Sequence, residues 1–205
     1  MTYITVKKAR TLAQMKMEDL EFDTDSEYEA TVNDLIVHAQ SIIDNFCDVP
    51  TGFFEAGGVT LTDEYHDLKR TNSYVSLRYK PVISITTASV DTAQYGSASS
   101  WSVVAEANRR VDLVSGALYF YNLTFYVIQQ NIKVTYVAGY AATPGDITYV
   151  AGQLVANALH DALQRKVAPV VRIDDWAVRM SGSKIFTKEL QDMLRRYKQI
   201  EASFG

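Results

Sequence analysis

Ile132-Lys133-Val134-Thr135-Tyr136-Val137-Ala138-Gly139-Tyr140 runs into Ala141-Ala142-Thr143-Pro144-Gly145-Asp146 and then into a long segment of apolar periodicity. Ile132, Val134 and Tyr136 alternate with Lys133 and Thr135, the period of a strand with one buried face, and Gly139 ends it. A helix start follows: Thr143 as cap, Pro144 at a first helical position where its missing N–H costs nothing, and Asp146 facing the positive end of the dipole. Ile147, Val150, Ala151, Leu154, Val155, Ala158, Leu159, Ala162 and Leu163 then recur at helical spacing, with Thr148, Gln153, Asn157, Asp161 and Arg165 opposite. Small Ala151, Ala158 and Ala162 admit a close neighbour. The stretch is therefore expected to join a β lobe to the central helix of a helical core.

Upstream, residues 57–140 are rich in Val, Thr, Ser and Tyr and broken by Gly- and Asn-containing turns. This predicts antiparallel strands at 59–65, 74–79, 82–90, 101–104, 117–120, 125–128 and 132–137, with a flexible loop tip at 94–100. Tyr119, Phe120, Tyr121, Phe125 and Tyr126 put aromatics on both strand faces, for core filling or for an oligomer contact. Nearer the N-terminus, Ser26 and Glu29 form a capping box before Tyr28, Val32, Leu35, Ile36, Ala39, Ile42, Ile43 and Phe46. That second long helix stops at Pro50 and Gly52 and is expected to lie against the central one. Residues 4–17 read as a short amphipathic helix capped by Thr5. Downstream, Ala168-Pro169 closes the central helix, 170–180 reads as extended or irregular, and Ser181-Gly182-Ser183 as a hinge. Phe186, Leu190, Met193, Leu194, Tyr197 and Ile200 mark the apolar side of a last helix. The expected fold is α+β, a helical bundle of two long helices plus shorter N- and C-terminal helices. The bundle comes from 1–52 and 143–205, with an antiparallel β-sheet lobe inserted over 53–142.

With 205 residues, 47% of them hydrophobic, the chain can fill one core with a subsidiary lobe. A formal charge of −4 and a pI near 5.4 leave no basic footprint for tight, non-specific nucleic-acid binding. The single Cys47 cannot make an internal disulfide, which fits a reducing compartment. No apolar run approaches the ~20 residues of a membrane span, and the N-terminus lacks the apolar centre of a signal peptide, so synthesis inside the cell and no membrane partner are expected. Glu18, Asp19, Glu21, Asp23, Asp25, Glu27 and Glu29 crowd together without the glycine of a calcium loop and read as a solvated acidic turn. Against them, Arg165, Lys166, Arg172, Arg179, Lys184, Lys188, Arg195, Arg196 and Lys198 make the last fifth basic. That asymmetry suits head-to-tail association or a charged partner.

Chemistry is sparse. His38, His66 and His160 lie far apart without metal-ligand spacing, so neither metal nor cofactor is expected. No G-x-S-x-G, Walker or G-x-G-x-x-G motif occurs, and Cys47 ends a helix instead of starting one. In Asp63-Glu64-Tyr65-His66, strand geometry puts Glu64 and His66 on one face. A small hydrolase would have to build on that pair.

Val134 to Tyr140, then Pro144-Gly145-Asp146-Ile147 and an Ala/Leu-rich helix, resembles the strand-to-helix signature of tailed-bacteriophage head–tail connector proteins, also called adaptor or head completion proteins. The acidic capped helix at 26–47, Lys80-Pro81-Val82-Ile83-Ser84-Ile85 with Ser89-Val90, and Met193-Leu194-Arg195-Arg196-Tyr197-Lys198 are similar to the family's early helix, first sheet strand and terminal helix. The chain departs from the pattern in a longer β region over 53–130 and an added segment at 169–183. The resemblance implies one connector domain over 1–205, a structural virion protein made in the host cytoplasm and placed at the neck. Copies would form a ring, commonly dodecameric, between the portal protein and tail or stopper proteins, with genomic DNA passing through the bore without specific binding. Arg195, Arg196, Tyr197, Lys198 and Phe204 are then expected to contact the portal, and Glu27, Glu29, Tyr121, Phe125, Arg172 and Arg179 the neighbouring subunit. Removing everything after Gln191 is expected to abolish portal binding and spare the fold. A tail-completion or tail-tube-associated role is the alternative within virion proteins.

Overall fold

Alternation along 132–138 becomes β7 (Ile132–Ala138): Ile132, Val134, Tyr136 and Ala138 are buried, while Lys133, Thr135 and Val137 are half-buried. The structure, a computed structural model, describes residues 2–20, 22–68, 74–93, 97–123, 129–164 and 185–199. The chain divides into two units, Met1–Glu55 with Ala142–Ile200, and Ala56–Ala141.

In the second unit β7 lies between β1 (Val59–His66) and β3 (Val82–Asp91), and β4 (Trp101–Val103) pairs with the far side of β3, all antiparallel. A separate antiparallel sheet has the order β2 (Tyr74–Ser76), β6 (Ala117–Phe120), β5 (Arg109–Val111). The single expected sheet is thus two. Arg109-Arg110-Val111 has no apolar alternation to announce a strand; its partners Phe120, Tyr119 and Leu118 impose one. The strand expected over 74–79 is shorter, because Arg78 and Tyr79 turn their amides to the side chains of Glu64 and Tyr136. Strand 125–128 and residues 94–96 of the loop tip fall outside the described residues.

In the first unit, α1 (Val6–Ala13) is capped as expected, the Lys8 amide donating to Thr5 Oγ1 at 3.3 Å, but it ends early where Gln14 turns left-handed at φ 53°. Helix α2 (Asp25–Cys47) starts before the expected capping box: the Glu27 amide donates to Thr24 Oγ1 at 3.2 Å, so Ser26 lies in the first turn. Thr24 and Glu27 have the same spacing as Ser26 and Glu29, and the earlier hydroxyl takes the orphan amide. Left-handed Asp48 ends α2 ahead of Pro50. In α3 (Gly145–Gln164) the first helical bond runs from the Thr148 amide to Pro144 O at 3.1 Å, which leaves Thr143 just outside.

The expected stripe of α3 is buried from Ile147 to Leu159, and Ala162 and Leu163 are half-buried. Helix α1 packs on α2 and α3, α2 on α3, and α4 (Lys188–Leu194) on both long helices. Gly152 joins the expected small residues as a point of close approach, since a Cβ there would run into the ends of the Leu12 and Ile4 side chains. Gly152→Val should therefore cost about 1–3 kcal/mol by overpacking. Urea unfolding should show a lower midpoint with an unchanged slope.

Candidate interaction surfaces

The C-terminal residues expected at a partner surface form a 3₁₀ turn, Arg195–Tyr197, directly after α4. Arg195 is exposed and lies 3.2 Å from Asp192. Arg196, also exposed, pairs with Asp146 in the first turn of α3, and the Tyr197 hydroxyl donates to the same carboxylate at 2.9 Å. The Tyr197 ring stands edge-on to Phe54 with centroids 5.6 Å apart, Lys198 Nζ lies 5.8 Å above the Phe46 ring, and the Gln199 amide donates to Cys47 O at 2.9 Å. The segment is thus tied to α2, α3 and residue 54, with its cations outermost. Removing everything after Gln191 would delete fully buried Leu194 and the Tyr197 contacts, so the expectation that such a truncation spares the fold is corrected.

Glu27 is exposed at the start of α2, whereas Glu29 is already engaged: Arg10 lies 3.3 Å from it and 3.0 Å from Asp25, pinning α1 to α2. Tyr121 is exposed beside the Tyr74–Tyr119 ring contact of the three-stranded sheet. Phe125, Arg172, Arg179 and Phe204, with the irregular segment at 170–180 and the hinge at 181–183, fall outside the described residues. Part of the charge asymmetry is paired inside the helical unit, Asp25 and Glu29 with Arg10, Arg195 with Asp192 and Arg196 with Asp146.

Two further surfaces belong to the β unit. Leu113 and Val114 are 45% and 80% exposed at the turn between β5 and β6, and Tyr65 and Val103 are 47% and 68% exposed on the four-stranded sheet. The first had a visible signal, two apolar residues between Asp112 and Ser115-Gly116. The second arises only when β1 and β4 enter the same sheet.

Glu64 and His66 do meet, Nε2 lying 2.8 Å from Oε1 but out of line for a hydrogen bond. A bulge brings Glu64 there. The register slips between Leu61 and Glu64 with Asp63 left-handed at φ 55°, which turns Glu64 to the face of Tyr136. Glu64 then accepts the Tyr136 hydroxyl at 2.6 Å and the Arg78 amide at 2.9 Å. Burial alone would raise its pKa; the contacts with His66, Tyr136 and Arg78 outweigh burial and hold the carboxyl below its usual range. With both oxygens engaged, the cluster joins β1, β7 and the turn after β2. Among the described residues, no three or more His, Cys, Asp or Glu side chains could hold a metal, and no helix is long and apolar enough to cross a membrane.

A second cluster lies in the helical unit. Buried Asp44 accepts the Tyr3 hydroxyl and, at 3.3 Å, the Gly52 amide, while the Phe54 amide donates to Tyr3 Oη at 3.3 Å. This clasp holds the N-terminal segment, α2 and the loop after α2 together. Close by, burial pushes the Cys47 thiol up to about 12, so it stays protonated.

No protein-family model matches the sequence, and no curated protein matches it. In fold the chain is similar to one in the neck of an empty GTA particle solved with C6 symmetry. The TM-score is 0.53 at 13% sequence identity, over 98% of this chain and 92% of that one. The likeness extends across both units and establishes a shared fold.

Burial, assisted by Glu55, raises the Asp44 carboxyl from its ordinary 3.8 to about 6 against the pull of its hydrogen bonds. The folded state thus holds this proton more tightly than the unfolded chain. The stability it brings is complete below pH 3.8 and lost as pH rises through about 6. Between those limits wild type should lose up to roughly 3 kcal/mol relative to Asp44→Asn, at ~1.4 kcal/mol per pH unit, in parallel urea titrations. A constant gap between the two would contradict it. Glu64 has the opposite sign: its contribution is present above pH 4.5 and lost as pH falls through its lowered value, so Glu64→Gln should lose stability at neutral pH and less on acidification.

Proposed function

We propose that this chain is a structural protein of a phage-like virion, a head–tail connector whose copies form a ring in the neck. The observation that carries this is the fold likeness to a chain in the neck of a GTA particle, a phage-like assembly, over nearly the whole of both chains. The strand-to-helix stretch of the sequence agrees with it. Both units act in this reading as one connector domain, a small helical bundle carrying a β lobe. The ring lies between portal and tail or stopper proteins and continues the DNA channel. An acidic ring suits that task, because it surrounds DNA without neutralising phosphates.

The outward cations Arg195, Arg196 and Lys198 are the proposed portal contacts, with Tyr197 holding the turn in place and Phe204 beyond it. Glu27, Glu29, Tyr121, Phe125, Arg172 and Arg179 remain proposed subunit contacts. A tail-completion role would use the same ring with tail proteins alone.

Electron microscopy of the purified chain should show rings, and mixing with portal should give a joint complex whose symmetry reports the copy number. A monomer that ignores portal would contradict the proposal. Arg195→Glu with Lys198→Glu should weaken portal binding more than about tenfold at an unchanged thermal midpoint, because both side chains are exposed.

A further inference from the structure

Leu113 and Val114 stand at a turn tip where polar residues usually sit, and hydrogen bonds tie the tip down. Asp112 Oδ1 accepts the Val114 and Ser115 amides at 3.0 and 3.4 Å, its Oδ2 accepts the Ser115 hydroxyl at 2.7 Å, and its backbone bonds Gly116 and Ala117 across the hairpin. From outside the hairpin, the Val82 amide donates to Leu113 O at 2.7 Å and the Leu77 amide to Gly116 O at 2.9 Å. Ordering the tip on binding therefore costs little. On the four-stranded sheet of the same unit, the Tyr65 ring meets Trp101 edge-on at 5.8 Å beside exposed Val103. Lys133 Nζ lies 5.0 Å above the Trp101 ring and 3.8 Å from Asp63.

We infer that copies of this chain join head to tail, the Leu113–Val114 tip of one copy seating on the Tyr65–Trp101–Val103 face of the next. The inference rests on the ring reading above and names the surfaces that build it. A second copy is the occupant because every copy carries both patches and they are of opposite kind, with Asp112 beside the one and Lys133, itself next to Asp63, beside the other. An apolar knob flanked by the Asp112 carboxylate meets an open aromatic floor flanked by the Lys133 ammonium. The two patches differ, so their contact is heterologous and repeats from copy to copy until rotation closes it.

Full-length Val114→Cys/Val103→Cys, gently oxidised, should give a ladder of multimers on a non-reducing gel. Each single variant should stay monomeric, and their equimolar mixture should stop at a dimer. Buried, protonated Cys47 does not compete. Leu113→Ser/Val114→Ser should cut ring yield more than about tenfold at an unchanged thermal midpoint. Rings in the wild type without a ladder in the double variant, or dimers from Val114→Cys alone, would overturn these surfaces and leave the connector reading standing. If wild type forms no rings and the double variant no ladder, both fall.

Discussion

The four-stranded sheet of the β unit is built on β7, which is hydrogen-bonded on both sides and buried on one face. Its two ladders consume the backbone polar groups of a strand that would be costly to bury unpaired. Its side chains supply the sheet's apolar layer, and past its start the pairing is carried on by a side chain: buried Asn131 exchanges two hydrogen bonds with the Leu68 backbone, at 2.7 and 2.8 Å. Tyr136 extends the same strand to a carboxylate on β1 and an amide of the turn after β2. A buried phenol needs such partners, and their geometry sets where β1 must bulge.

The polar clusters at Glu64 and Asp44 have the same construction and opposite electrostatics. Each gathers a carboxylate, a buried tyrosine and backbone amides from a neighbouring loop. Around Glu64 the hydrogen bonds and His66 overcome burial and keep the charge. Around Asp44 burial prevails and nearby Glu55 adds repulsion, so the proton is retained more tightly. Both join chain segments far apart in sequence and so fasten them together.

The two units present different surfaces. The helical unit pairs several of its charges internally, Arg10 with Asp25 and Glu29, Arg196 with Asp146. The β unit leaves apolar side chains outside on a hydrogen-bonded turn and an open sheet face. Exposed apolar groups on ordered backbone are where association gains most per residue.

Periodicity alone determined much of this molecule. The alternation of 132–138, the stripes of α2 and α3, the Thr5 cap and the α+β division were legible because each depends on neighbours within one or two turns or one strand. Tertiary structure decided the rest. Arg109–Val111 became a strand because Leu118 to Phe120 lay beside it, and the β lobe separated into two sheets. Glu64 found Tyr136 through a bulge that no local pattern announces. Tyr197, expected at a partner surface, also bonds Asp146 and meets Phe54. Tyr65 and Trp101 became one surface only when β1 and β4 entered one sheet. Local sequence encodes which face of an element is apolar, whereas the identity of what lies against that face is set by contacts between residues distant along the chain.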